Sequence, residues 1–211
     1  MPVAREFRTV QIRVSRCAVK RLASVSLAVL LCASAAHAAD KDGHHATVTL
    51  QPANTSICWT LSDPLHTVHG TFKLKQGVIN FNLSDGSADG LIEVDATSGE
   101  SGNSARDGRM HKDVLDSDRY PLFSFRPTRV SGKAPSSSDG ELLVEGVIRI
   151  HGTDHPLQLN IDLHLKAGTM TAKTHFVIPY VAWGMKDPST FILRVGKTVD
   201  VEVQATVSEN R

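Results

Sequence analysis

Three side chains near the middle of the chain have types and spacing that could do chemistry together. On a helix Ser104, Asp107 and His111 would share one face, offering a hydroxyl nucleophile, an acid and a base. A serine nucleophile also needs an exposed elbow and an oxyanion hole, and the chain contains no G-x-S-x-G sequence. Asp107 and His111, four residues apart, read as a surface pair worth ~0.2–0.5 kcal/mol. No catalytic residue is assigned on this reading, and the chain is expected not to be an enzyme.

Ten histidines raise the question of zinc. His66 and His69 stand three apart at the start of a predicted strand, which points them to opposite faces. His44 and His45 fall near the N-terminus expected after processing. A turn at Ala167-Gly168-Thr169 sets His164 near Ala172 and His175 near Ile161, so these two are not cross-strand partners. Without a cysteine pair or an H-E-x-x-H spacing, no metal site and no cofactor are expected.

Of the three cysteines, Cys17 and Cys32 belong to the first 38 residues, which read as a secretory leader. Arg13, Arg16, Lys20 and Arg21 precede an apolar run from Leu22 to Ala33, and Ala36-His37-Ala38 supplies the small-residue cleavage site. The run is short of the roughly 20 residues a membrane-spanning helix needs. Export to the periplasm is expected, with residues 39–211 forming one domain. Cys58 then stands alone, so no internal disulfide can form. It reads as a small residue packed in a strand, with a reactive or dimer-linking thiol as the alternative.

The leader holds six of the 23 basic and one of the 22 acidic residues, so the mature part carries 17 basic and 21 acidic groups, a net charge of −4. That mild acidity, without any basic run, excludes nucleic acid as a natural partner.

The elements that must position any site are strands. Leu157, Leu159, Ile161, Leu163 and Leu165 alternate with Gln158, Asn160, Asp162, His164 and Lys166. Val199, Val201, Val203, Ala205 and Val207 form a second row; Leu142, Val144, Ile148 and Ile150 a third; Met170, Ala172, Phe176 and Ile178 a fourth. Weaker strands are predicted at about 46–51, 54–62, 67–75, 77–84, 88–96 and 120–130. One wet and one apolar face per strand fits an antiparallel sheet closed on itself, as a barrel or a sandwich. A short helix is expected over Asn103–Leu115, opened by a capping Asn, with Met110 and Val114 docking on the sheet. Pro179 to Gly196, with Tyr180, Trp183, Pro188 and Phe191, is long for a link between strands, and Trp183 reads as a plug for one end or as a ligand contact. About eight strands either fill with side chains or hold one ligand, and periodicity leaves both open.

Gly102-Asn103-Ser104-Ala105-Arg106-Asp107, with Met110-His111 and then Tyr120-Pro121-Leu122-Phe123-Ser124-Phe125, resembles the central signature of the YceI-like family. Gly146 to Leu159, containing Ile150-His151-Gly152-Thr153 and His155-Pro156-Leu157, resembles its second signature, a strand followed by a turn. The resemblance runs from about Ala46 to Val207. The segment from Tyr180 to Phe191 departs from the commonest pattern and marks a subgroup.

The resemblance implies an extended, lipocalin-like, eight-stranded antiparallel β-barrel with one short helix. It also implies a tunnel for a polyisoprenoid lipid, either a prenyl quinone or a prenyl phosphate, in a periplasmic carrier. Val144, Ile148, Leu159, Ile161, Met170 and Phe176 are expected to line the tunnel, with Trp183 near one end. Asn103, Arg106, Asp107 and His111 map onto the family's central segment, where they either meet the lipid head group or cap and pin the helix. Two other readings stay open: a partner of a membrane redox or stress system, and a hydrolase or isomerase acting on an isoprenoid. Transient contact with a membrane or a membrane redox protein, and a homodimer, are left open too.

Overall fold

Period-two alternation generates nine antiparallel strands in the computed structural model, which describes residues 45–62, 66–133, 139–191 and 194–208. The predicted leader and His44 lie outside the described residues. The strands are β1 (His45–Leu50), β2 (Thr55–Ser62), β3 (Thr67–Asn82), β4 (Ser87–Glu100), β5 (Leu122–Lys133), β6 (Asp139–Ile150), β7 (Thr153–Lys166), β8 (Thr169–Ile178) and β9 (Val199–Ser208). Each of β2 to β9 pairs with its successor, and β9 returns to β2 along Thr55–Thr60 against Asp200–Ala205, closing an eight-stranded barrel. β1 pairs with the far half of β3, where His45 meets Asn82 and Leu50 meets Gly77.

Two expectations about the strand ladder change. The strands predicted at 67–75 and 77–84 are one strand, β3, with a register shift against β4 between Leu74 and Gln76. The irregularity breaks the alternation without ending the ladder, so the sequence reads as two pieces. The β7–β8 turn is also tighter than expected. Ala167 and Gly168 both take positive φ, 50° and 78°, the requirement of a two-residue mirror-image turn. Lys166 therefore pairs with Thr169 and His164 with Thr171, one residue from the expected register. His164 and His175 remain apart on the outer face, where they donate to Asp139 at 2.9 Å and Asp200 at 3.1 Å.

The predicted helix forms as α1 (Ser104–Arg109), continued by a π-helical turn over Met110–Leu115. It joins the end of β4 to the start of β5, while residues 179–198 join the end of β8 to the start of β9. In an antiparallel barrel those junctions lie at the same end, so both irregular segments gather there. Tight turns close the β3–β4 and β7–β8 hairpins at the other end.

Cys58 lies in β2 as expected, but it is exposed. Its neighbours Ile57 and Trp59 are buried inward, and alternation leaves Cys58 on the outer face rather than packed.

Candidate functional site: the barrel interior and its plugged end

The inward rows converge on an apolar interior. Val144, Ile148 and Leu159 are buried within one cluster, and Ile161, Met170, Phe176 and Trp183 pack against it while only partly buried. The six residues expected to line the tunnel, and Trp183 expected near one end, therefore belong to one cluster. The partial burial is informative for Ile161, Ala172 and Phe176, which alternation directs inward yet which keep accessible surface. A barrel filled by its own side chains would bury these positions as fully as Val144 and Leu159.

A second cluster of Ile57, Trp59, Leu74 and Val201 lines the β2–β3–β9 wall. Trp59 is 6% exposed, and its indole covers Gly70, where an added Cβ would come within 2.2 Å of the ring. Only glycine permits that approach. Phe72 stands 6.5 Å from Trp59 and makes an edge contact with Phe123 at 5.4 Å between centroids.

Residues 179–185 form the plug. Trp183 N–H donates to Pro179 O and Met185 N–H to Tyr180 O, both at 3.0 Å, folding the segment into a compact turn. Tyr180 and Met185 are buried in the main cluster. The Tyr180 hydroxyl donates to Gly196 O at 2.7 Å, tying the two ends of the connection together. Burial first, and then the Asp187 carboxylate, push the Tyr180 phenol up to about 12. Trp183 stacks on His155, which β7 sends inward ahead of Leu157 and Leu159. Trp183 thus packs, partly buried, against the main cluster at this end of the barrel.

The four residues assigned to the tunnel mouth are held by local bonds. The Asn103 side chain caps α1 by accepting from Arg106 N–H at 3.1 Å. Arg106 donates from Nε to Ser101 Oγ at 2.8 Å and from a terminal nitrogen to Ser101 O at 3.0 Å. Asp107 accepts from the Ser101 amide at 3.0 Å and from the Ser101 hydroxyl. Partial burial opposes its ionisation, but the Ser101 bonds, Arg106 and His111 together outweigh this and hold the carboxyl below its ordinary value. His111 Nε2 lies 2.8 Å from Gly99 O, which can only accept, so this nitrogen carries hydrogen. In the neutral ring Nδ1 then accepts from the hydroxyl of buried Ser117 at 3.1 Å. The expected Asp107–His111 pair does not form, and Ser104 joins neither residue in any hydrogen bond among those described. These contacts match the reading in which the segment caps and pins the helix, with Met110 and Val114 docked on the two apolar clusters.

Sequence reasoning missed three inward polar residues: Trp59, His155 and Thr174. Among the described residues, Trp59 Nε1, His155 Nε2 and Thr174 Oγ1 are buried without a hydrogen-bond partner. Period two could have found each of them. Trp59 falls between Ile57 and Leu61, His155 precedes Leu157, and Thr174 lies between Ala172 and Phe176.

Comparison with known proteins agrees with this architecture. Residues 48–207 match the model of the YceI-like domain. Among solved structures, BcnA of Burkholderia cenocepacia superposes with a TM-score of 0.61 at 14% identity, covering 75% of this chain and 99% of that one. A polyisoprenoid-binding domain from Saccharophagus degradans, implicated in plant cell wall breakdown, gives 0.56 at 12% identity, covering 79% and 99%. The YceI protein of Campylobacter jejuni gives 0.55 at 15% identity, covering 71% and 90%. No curated protein matches this chain in sequence. With the family model matched along nearly all of a barrel of this architecture, the chain belongs to the YceI-like family.

Proposed function

We propose that this protein binds a polyisoprenoid lipid non-covalently inside its barrel and carries it through the periplasm after a leader of 38 residues is removed. The observation that carries this reading is the incomplete burial of inward Ile161, Ala172 and Phe176 within an apolar lining. Such a wall rewards length more than detail, because each methylene moved out of water contributes about 0.8 kcal/mol. Membership of the family supports it, as does the polyisoprenoid-binding domain among the structural neighbours. Binding rather than catalysis fits the central segment, where His111, Asp107 and Arg106 are committed to the loop around Ser101, Gly99 and Ser117.

The test is native mass spectrometry of protein purified from a bacterial periplasm, followed by solvent extraction. A single isoprenoid mass released on denaturation is the expected result. An apo mass that also resists added prenyl quinone would overturn the reading.

A further inference from the structure

We infer, resting on the lipid-binding reading above, that the barrel takes the polar end of its lipid inside, and that this end is an uncharged hydrogen-bond acceptor of the quinone-carbonyl type rather than a phosphate. A pure hydrocarbon tunnel has no use for buried donors, yet this one contains them. Trp59 Nε1 and Thr174 Oγ1 are both buried and both lack a partner.

The register places the two on one wall. Thr174 pairs with Val203 of β9, which pairs with Ile57 of β2. One inward step along β2 and β8, Trp59 pairs with Val201, which pairs with Phe176. Thr174 and Trp59 are therefore separated by a single strand and by one inward position. The residues between them, Ile57, Phe176, Val201 and Val203, are apolar. None of them can satisfy a hydroxyl or an indole N–H. His155 Nε2, the third such atom, lies under Trp183 at the plugged end.

The chemistry of these donors selects the ligand. An indole N–H only donates, and a threonine hydroxyl donates readily, so each suits an acceptor oxygen. A phosphate would also accept, but it brings charge into a dry interior and needs a cation there. Every described Lys and Arg is exposed, including those on the strands: Lys73, Lys75, Arg126, Arg129, Lys166 and Lys173. A neutral carbonyl satisfies the donors without that demand.

The experiment compares three probes of equal isoprenoid length by competition in native mass spectrometry: a prenyl benzoquinone, a prenyl monophosphate and the unsubstituted polyisoprene. Full-length mature protein is used, with Trp59→Phe, Thr174→Val and Thr174→Ser alongside it. The quinone is expected to bind at least tenfold more tightly than either other probe. Thr174→Val and Trp59→Phe should each lower quinone affinity several-fold and polyisoprene affinity by much less, and Thr174→Ser should keep the wild-type preference. Lipid-free Thr174→Val should also melt at a higher temperature than wild type, because it loses an unpaired buried hydroxyl. Equal or tighter binding of the phosphate would overturn the inference, and so would unchanged quinone affinity in both variants, since the two donors would then serve water alone. Failure of all three probes to bind would instead overturn the lipid-binding reading beneath it.

Discussion

The imidazole of His155 lies flat on the indole of Trp183, with ring centroids 4.1 Å apart and planes only 4° from parallel. This contact joins the first inward side chain of β7 to the plug between β8 and β9. It fixes Trp183 across the end of the barrel rather than along its outer wall. Trp183→Ala should destabilise the protein by roughly 2 kcal/mol, less than a fully buried Trp because Trp183 is only partly covered. The same change should speed release of a bound isoprenoid by about tenfold, equivalent to about 1.4 kcal/mol of lost retention. Stopped-flow dilution of loaded protein checks this; an unchanged release rate would mean that the lipid leaves by the opposite end.

The pin between Asp107 and Ser101 makes the helix sensitive to acid. The Asp107 carboxyl is held below its ordinary value of 3.8, so its contribution is complete above that pH and is lost as pH falls through the lower folded value. Asp107→Asn should cost about 1–2 kcal/mol at neutral pH through the weakened Ser101 bonds. The gap between variant and wild type should close as pH falls below 3.8 through the lower folded value, as the wild-type carboxyl takes up its proton. Urea titrations from pH 7 to pH 2 measure both effects, and a gap that persists at pH 2 would rule out ionisation as the source.

The buried Tyr180 phenol predicts the opposite sensitivity. Its folded value of about 12 exceeds the ordinary 10, so the folded state favours the neutral phenol. The stability contributed is complete below pH 10 and is lost as pH rises toward 12, amounting to roughly 2 to 3 kcal/mol. Tyr180→Phe keeps the ring, gives up the 2.7 Å bond for about 1 kcal/mol at neutral pH, and should lose less stability than wild type between pH 10 and 12. Thermal melts across that range decide the matter. Parallel curves for the two proteins would contradict it.

Much of this was legible because the barrel obeys a local rule. Leu157 to Leu165 and Val199 to Ala205 alternate cleanly, and alternation alone orients every side chain on β7 and β9. Asn103 announced the cap of α1, and the structure keeps that bond. Even the overlooked residues carried the signal, since His155 and Thr174 continue inward rows that were already recognised. Their polarity, read one residue at a time, suggests an outer face.

The sequence by itself determined that strands form, which face of each is apolar, where the helix begins and that one long connection interrupts the hairpins. These properties depend on neighbours in the chain, and period and capping report them directly. Only the tertiary structure decided what meets across the barrel. It joined β9 to β2, merged two apparent strands into β3 and left Cys58 on the outer face. It committed His111 to Gly99 and Ser117 instead of Asp107, and set Trp59 and Thr174 unpaired in an apolar wall. Each of those outcomes depends on contacts between residues distant in sequence, and closure of the barrel fixes such contacts through registers that no single strand encodes.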